Sequence, residues 1–337
     1  MRIFERLDAL YAIGGGSGAN RPHPSAAEDE AFELAAGWLR DAGLAVESDR
    51  HGNLLGRSER TTEVWAGSHL DSVPQGGRFD GALGVVAAIE AVARVGAGSI
   101  VVFRGEEVGC VGSRALVASG DELPVAFLEL HIEQGPVLAS ADAPLGVVTG
   151  IVGYARGELV VEGRAGHAGT TPMEGREDAL VGAAAEITRV RDAALGIPGA
   201  VATIGRVEVE PGGANVIPSR VRLSLDARAP DAERLDLLVA AVGFEPDYRV
   251  EPAVFAGRVP DAFRAAVAAR SLPGVDLASG AGHDAGILAS AGVDAGMLFV
   301  RSLNGGVSHS PDELSSDEDV LLGVDAFADA LERVTSR

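Results

Sequence analysis

The sequence predicts an α/β protein, with a main domain on a mostly parallel sheet and a smaller α+β domain inserted into it. Three observations predict this. Short apolar strand patterns alternate with helical patterns over the first part of the chain, as in a sheet covered by helices. From about Gly150 the pattern changes to alternating strands around a few helices. Beyond Phe255 helical periodicity and an apolar strand return. The main domain is therefore expected from 1–149 and 256–337, and the inserted domain from 150–255. A chain of 337 residues has room for two domains of roughly 150 residues each.

Each element has its own warrant. Glu28–Ala42 is a helical run with the body AFELAAGWLRDA, stopped by Gly43. Short strands are expected at Val64–Ser68, Ile100–Arg104 and Ala126–Leu130, with the Ala- and Val-rich run Ala82–Val95 as the helix between the first two. In the inserted domain Glu158–Glu162 reads as a strand, Asp178–Ala194 as a helix, and Thr203–Glu210 and Arg220–Ala227 as alternating strands. A short helix at Ala232–Val242 and an extended stretch at Tyr248–Phe255 complete it. Asp261–Arg270 is helical again, Ala295–Val300 is an apolar strand, and Asp317–Thr335 is a final helix. There is no internal repeat, low-complexity tract or heptad pattern.

Composition excludes several classes of function. A formal net charge of -21 argues against a nucleic-acid partner, whose phosphates need a basic surface. All 28 basic residues are Arg, a bias that GC-rich coding or a salt-adapted proteome would produce, and the heavy use of Ala and Gly favours the first. Cys110 is the only cysteine, so no internal disulfide and no Cys-based zinc site can form, which fits a reducing cytoplasm. The start MRIFERLDALYAIGGG lacks the basic start leading into a long apolar run that marks a secretion signal. The most hydrophobic stretch, Leu83–Phe103, carries Glu90 and Arg94 and reads as a buried helix and strand, so no membrane span is expected.

The polar residues at the ends of the strands carry the chemistry. Val64–Ser68 runs into His69-Leu70-Asp71, and residues two apart in extended chain face the same way. His69 can bind a metal while Asp71 orients its ring. Gly76-Gly77-Arg78-Phe79-Asp80-Gly81 is a glycine-rich turn that sets Asp80 at the mouth of the next helix, where a carboxylate can bridge two cations. Ile100–Arg104 leads to Glu106-Glu107, of which one can ligate a metal and the other act as a general base. Ala126–Leu130 ends in His131, and His309 lies in a Ser-His-Ser-Pro loop before the last helix. Metal-type ligands thus follow four separate segments, where open α/β sheets place their sites. Any one of these histidines alone is more often structural, but together they point to a metal centre. His23 and His51 lie in polar, loop-like sequence and read as surface residues. Cys110 reads as a buried small hydrophobe near the site, with no His–acid pair to activate it. The glycines of Gly14–Gly18 are no phosphate loop, because no strand precedes them and no Lys-Ser/Thr ending follows.

Six stretches together look familiar: GSHLDSVPQGGRFDGALGV (67–85), LELHIEQGPVL (128–138), AGHAGTTPM (165–173), ANVIPS (214–219), SGAGHDA (279–285) and SHSPDE (308–313). They resemble the hydantoinase/carbamoylase family of amidases, which includes N-carbamoyl-L-amino-acid hydrolases, allantoate amidohydrolases and β-ureidopropionases of the zinc-peptidase-like fold. The resemblance runs over nearly the whole chain. It implies two divalent metal ions per chain, Zn or Mn, one held by His69 and His131 and the other by Glu107 and His309, with Asp80 bridging them. It makes Glu106 the base that takes the proton of the attacking water. It implies that His167 and Asn215 contact the reacting carbonyl, that Arg228 holds a substrate carboxylate, and that Gln134 makes a further contact near the metals. His167 would act from a flexible segment, Arg164–Gly169, as a lid closes. A homodimer through the inserted domain is also implied.

The expected reaction is hydrolysis of the ureido C–N bond of a small carboxylate, such as an N-carbamoyl-L-amino acid or allantoate, with release of ammonia and CO2. An N-acyl-amino-acid deacylase or dipeptidase of the same fold is the alternative, although related peptidases look to use a carboxylate where this chain has His131. A catalytically inactive binding relative is a third reading, and the intact ligand set and paired Glu tell against it. Thr170-Thr171 after His167 looks more like the allantoate-type members, whereas L-carbamoylases tend to carry Ala-Thr there. The sequence departs from the family in a shortened segment between 112–115 and LELHIEQGP, in Val108-Gly109-Cys110 after the paired Glu, and in an abbreviated stretch from Asp231 to Phe255. These departures spare the implied ligands and alter the pocket walls.

Overall fold

Apolar runs become the centre of the larger sheet. Ser99–Phe103, Val64–His69, Ala126–Ile132 and Asp294–Val300 lie side by side in that order, all parallel. Every residue in them is buried except Asp294, as expected of parallel strands covered on both faces. The antiparallel hairpin strands Leu54–Arg57 and Ala45–Ser48 extend one side. On the other, Leu145–Ile151 runs antiparallel to Asp294–Val300 and pairs in parallel with Asp276–Ser279.

This computed structural model describes residues 2–60 and 63–336. The chain divides into one unit running up to Ile151 and resuming at Val254, and another spanning Val152–Ala253. In the larger unit the helices Arg2–Ala12, Ala26–Asp41, Ala82–Val95, Arg258–Ala269 and Asp317–Thr335 contribute to one apolar core with the sheet. Ala82–Val95 buries ten of its residues, among them Leu83, Val85, Val86 and Ile89, and ends at Gly96 in the left-handed conformation. At Gly67 the Val64–His69 strand must be side-chain-free, because a Cβ would lie 1.8 Å from the Val101 carbonyl oxygen.

The smaller unit is a four-stranded antiparallel sheet in the order Tyr248–Val250, Gly153–Glu162, Arg220–Ala229, Val201–Glu210. Arg220–Ala229 alternates strictly between half-buried and buried residues, so one face takes a core. That core joins Leu225 and Ala227 to Val190 of the helix Ala179–Leu195 and to Leu235 and Leu238 of the helix Ala232–Val242. Asp178 and Asp231 cap these two helices through their side chains.

Several expectations need correcting. His131 lies inside its strand, followed by Ile132, because the strand continues beyond Leu130. Tyr248–Phe255 is not one extended stretch but the short strands Tyr248–Val250 and Ala253–Val254, with Pro252 between them. The segment Arg164–Gly169, expected to be flexible, is tied down. Gly166–His167 pairs with Val216–Ile217, and the Arg176 guanidinium donates to the Ala168 carbonyl at 2.8 Å. His23 is not a free surface residue, since it is half-buried with Nδ1 2.8 Å from Glu28. His51 is half-buried too. No helix among the described residues is long and apolar enough to cross a membrane.

Candidate metal centre

All four parallel strands point their C-terminal ends the same way, and the loops beyond them converge. His69 is the last residue of its strand. Its ring is held on one side by Gly81, where φ is +64° and a Cβ would come within 2.4 Å of the imidazole. His69 Nδ1 lies 3.2 Å from the Asp71 carbonyl and 3.3 Å from its carboxylate. Asp71 also accepts the backbone N–H groups of Glu106 and Glu107, both at 3.1 Å, and so ties two strand ends together. His131 Nδ1 is 2.9 Å from the Ile132 carbonyl.

With both Nδ1 atoms directed at carbonyls, the two Nε2 atoms are left facing inward. Both are buried and make no hydrogen bond. His131 Nε2 lies 3.2 Å and His69 Nε2 3.7 Å from the same oxygen, Asp80 Oδ1. The other oxygen, Asp80 Oδ2, is 3.3 Å from His309 Nε2, which is itself 3.3 Å from Glu107 Oε2. Two clusters share Asp80, His69–Asp80–His131 and Asp80–Glu107–His309, and a third group, Glu129–His131–His283, adjoins the first through His131, each with its ligand-type atoms within 4.8 Å of one another. A buried imidazole nitrogen with no donor or acceptor is costly unless something electrophilic sits in front of it. Two such nitrogens aimed at one carboxylate oxygen fit a divalent cation, and the all-N/O donor set suits Zn or Mn.

Electrostatics separates the neighbouring acids. Burial pushes the Glu106 carboxyl well above its usual range, against the pull of His69, and Asp284, Asp80 and Glu107 add to the rise. Glu107 is raised as well, by burial and then by Asp80. Burial would also raise Asp80, but the His131, His309 and His69 rings facing its carboxylate win and hold it well below the usual range. Burial would lower His69, yet Glu106, Asp71 and Asp80 together raise it well above an ordinary imidazole. His309 is pushed up to about 9, chiefly by its hydrogen bond to Asp80.

Gln134, at φ 57°, donates Nε2 to Asp80 Oδ2 at 2.9 Å, so it holds the shared carboxylate from the side facing His309. The remaining expected residues belong to the smaller unit. His167 Nδ1 accepts the Gly169 N–H at 3.1 Å, which puts the ring proton on Nε2 and makes that atom a donor. Asn215 lies beside it, its carbonyl accepting the Ala168 N–H at 3.0 Å. Arg228 grips Asp226 through Nε at 2.7 Å, and Arg156 holds the same carboxylate at 2.7 Å. Cys110 is buried, and burial raises its thiol pKa, which leaves it unreactive.

Sequence reasoning missed four residues. His283 is buried, with Nε2 3.0 Å from Ser279 and Nδ1 3.4 Å from Glu106 Oε1. Asp284 accepts the Ser113 hydroxyl at 2.6 Å, and burial raises its carboxyl to about 8. Glu313 accepts the backbone N–H of Phe79 at 2.7 Å. Arg21 is buried and donates to the Leu70 and Leu10 carbonyls at 2.7 and 2.8 Å. Three of these lie in or beside stretches already singled out, SGAGHDA and SHSPDE, so a signal was present without a role attached. Arg21 had none, because its partners are backbone carbonyls.

Comparison with known proteins agrees with this geometry. Residues 65–333 match the model of peptidase family M20/M25/M40. The chain is 35% identical to the N-carbamoyl-L-amino acid amidohydrolase of Geobacillus stearothermophilus over 395 residues, covering 97% of this chain and 96% of that one. It is 29% identical to allantoate deiminase 1 of Glycine max, with 94% and 86% covered. Its structure matches the crystal structure of an amidase of the hydantoinase/carbamoylase family from Burkholderia multivorans with a TM-score of 0.89, at 29% identity and with 98% and 96% covered. The chain belongs to the peptidase M20/M25/M40 family and, within it, to the hydantoinase/carbamoylase amidases. The larger mixed sheet and the inserted antiparallel sheet are that family's α/β fold.

Proposed function

We propose that this protein is a two-metal amidohydrolase that cleaves the ureido C–N bond of a small carboxylate, an N-carbamoyl-L-amino acid or allantoate, releasing ammonia and CO2. The observation that carries the reading is the pair of clusters sharing Asp80, with Glu106 buried beside them. His69 and His131 would hold one cation, Glu107 and His309 the other, and Asp80 both. Two divalent ions held there would polarise the ureido carbonyl and bring the pKa of the attacking water towards ~7.

The chain's own residues do the rest. Glu106 takes the proton from the attacking water and passes it to the leaving nitrogen, a role that suits a carboxyl whose pKa burial raises. Asp71 orients the His69 ring. His167, with its proton on Nε2, donates to the oxygen that gains charge, and Asn215 assists it. Arg228 offers a fork to the substrate carboxylate, in exchange for part of its hold on Asp226. In this reading residues 1–149 and 256–337 form the catalytic domain, and 150–255 the lid and dimerisation domain. A homodimer through that domain is supported by the edge strand Val201–Glu210 and by exposed Leu180, Val181 and Ile187 on the helix Ala179–Leu195. A cytoplasmic setting accords with a single, buried cysteine.

Release of ammonia and of free amine by metal-loaded protein is the test, with allantoate, N-carbamoyl-L-amino acids, N-carbamoyl-β-alanine, N-acetyl-amino acids and dipeptides as substrates. Turnover of ureido compounds is expected. Turnover confined to N-acetyl compounds or dipeptides would sink the ureido reading in favour of a deacylase or dipeptidase. No turnover at all would leave a binding relative.

A further inference from the structure

We propose that Glu313 is a positioning residue that locks together the two loops of the Asp80–Glu107–His309 cluster, and so sets the cation affinity of that cluster separately from its neighbour's. The inference rests on the two-metal reading and deepens it.

The two clusters are built differently. His69 and His131 stand on adjacent, fully buried parallel strands, which fix them without further help. Asp80 and His309 come from irregular backbone, the Gly76–Asp80 turn and the loop after Asn304–Gly306. His309 itself has φ 55°, a left-handed conformation that a non-glycine residue keeps only when its surroundings impose it. Something must therefore hold these two loops in register.

Glu313 touches both. Its Oε1 accepts the backbone N–H groups of Phe79 at 2.7 Å and Asp80 at 3.2 Å, so it grips the turn that presents the shared carboxylate. Its Oε2 accepts the hydroxyl of Ser308, the residue before His309, at 2.8 Å. Ser308 Oγ is in turn 3.1 Å from Gln134 Nε2, which also donates to Asp80 Oδ2. Asp80 Oδ2 is the oxygen that faces His309, whereas Oδ1 faces the two strand histidines. The side-chain part of the network thus meets Asp80 at Oδ2, the oxygen that faces His309.

Gly77 makes room for it. A Cβ there would lie 2.0 Å from the Glu313 carboxyl carbon, so the turn admits the buried carboxylate only because residue 77 has no side chain. Glu313 is 6% exposed and faces Asp80 rather than solvent. Burying a second carboxylate beside Asp80 is unfavourable on its own, which argues that its hydrogen bonds to the two loops are what keep it there.

The test is binding of Co(II) to the full chain, followed by visible absorption, with Zn stoichiometry by equilibrium dialysis. The unaltered chain, Glu313→Ala, Glu313→Gln, Gly77→Ala and His309→Ala are compared. The unaltered chain should take two equivalents. In Glu313→Ala and Gly77→Ala the first should bind as before and the second about 10- to 100-fold more weakly, the usual cost of removing a group that orients a ligand. Their spectra should move towards that of His309→Ala. Glu313→Gln keeps an oxygen for the two N–H groups and should recover most of the loss, which a mere packing defect would not allow. If Glu313→Ala fails to fold, Gly77→Ala and Glu313→Gln decide the matter. Two equivalents bound with unaltered affinity in Gly77→Ala or Glu313→Ala, or equal weakening of both, overturns the proposal. Fewer than two equivalents in the unaltered chain overturns the two-metal reading itself, and the lock with it.

Discussion

Glu106 and Glu107 follow the same strand and differ in what surrounds them. Glu107 Oε2 meets His309, whereas Glu106 faces His69 at 3.8 Å and His283 at 3.4 Å. Glu106→Gln should therefore keep the fold and its metals but lower kcat roughly 100- to 10,000-fold, because an amide cannot accept the proton of water. Metal analysis beside steady-state kinetics checks this, and loss of metal in Glu106→Gln with retention in Glu107→Gln would reverse the two roles. Arg228→Lys should raise KM for carboxylate substrates with little change in kcat, since a point charge cannot replace the fork. An unchanged KM would leave Arg228 as the partner of Asp226 and nothing more.

The His309 imidazole allows a prediction with a definite sign. In the metal-free protein its pKa of about 9 lies above the ordinary value, so at neutral pH the ring carries a proton that a cation must displace. Affinity for the second cation should rise as pH approaches 9 and level off beyond it. The same shift stabilises the metal-free fold fully below the ordinary imidazole pKa and is lost as pH rises through about 9. Calorimetric titration in buffers of different ionisation enthalpy should register proton release near pH 7.5, and a binding isotherm indifferent to pH between 7 and 9 would contradict it.

At the scale of single elements, the turn from Gly76 to Gly81 is the most demanding piece of backbone in the site. Gly81→Ala places a methyl against the His69 ring at a φ of +64°, so something must move. A loss of about 1–3 kcal/mol in chemical denaturation is expected, with reduced metal content. Unaltered stability and metal content would mean the turn relaxes freely. The elements themselves were legible to different degrees. Ala82–Val95, Ala232–Val242 and Asp317–Thr335 were read to the residue, because Gly96, Gly243, Asp231 and Ser316 punctuate their ends. The helices Arg2–Ala12, Val111–Ala118 and Asp284–Ser290 went unread, as did the strand Leu145–Ile151. Val111–Ala118 and Asp284–Ser290 are too short to show a period, and Leu145–Ile151 carries two glycines in seven residues.

The candidate site follows the same division. His69 and His131 lie at or near the ends of their strands, Glu107 in the turn after one, and Asp80 in a glycine turn, where local pattern exposes them, and the structure brings them together with His309. His283 and Glu313 earn their places only through partners far along the chain, Glu106 for one and Phe79 and Asp80 for the other. No local pattern could have disclosed those contacts.

The whole molecule carries a charge of -21, and its proposed substrates are anions. Long-range repulsion should slow their approach, so kcat/KM for an anionic substrate should rise with added salt, by up to roughly tenfold, before levelling off once charges are screened beyond ~10 Å. A steady fall with salt would instead show that Arg228 and the metals dominate even the distant field.

The position of Asp294–Val300 bears on how the molecule comes into being. This strand lies between Ala126–Ile132 and Leu145–Ile151, yet it is the last of the three to leave the ribosome. Until it arrives, Ala126–Ile132 keeps an open edge of buried-type residues, the kind of surface that recruits other chains. The smaller unit, by contrast, uses one continuous stretch of chain, Val152–Ala253, and waits for nothing downstream. Closing the larger sheet therefore spans the whole insertion, a contact order that favours slow assembly. His309 follows the strand and supplies the last atom of the second cluster. A nascent chain halted before that point lacks that strand and His309, so under the proposed two-metal reading metal capture would belong to the final stage of biosynthesis.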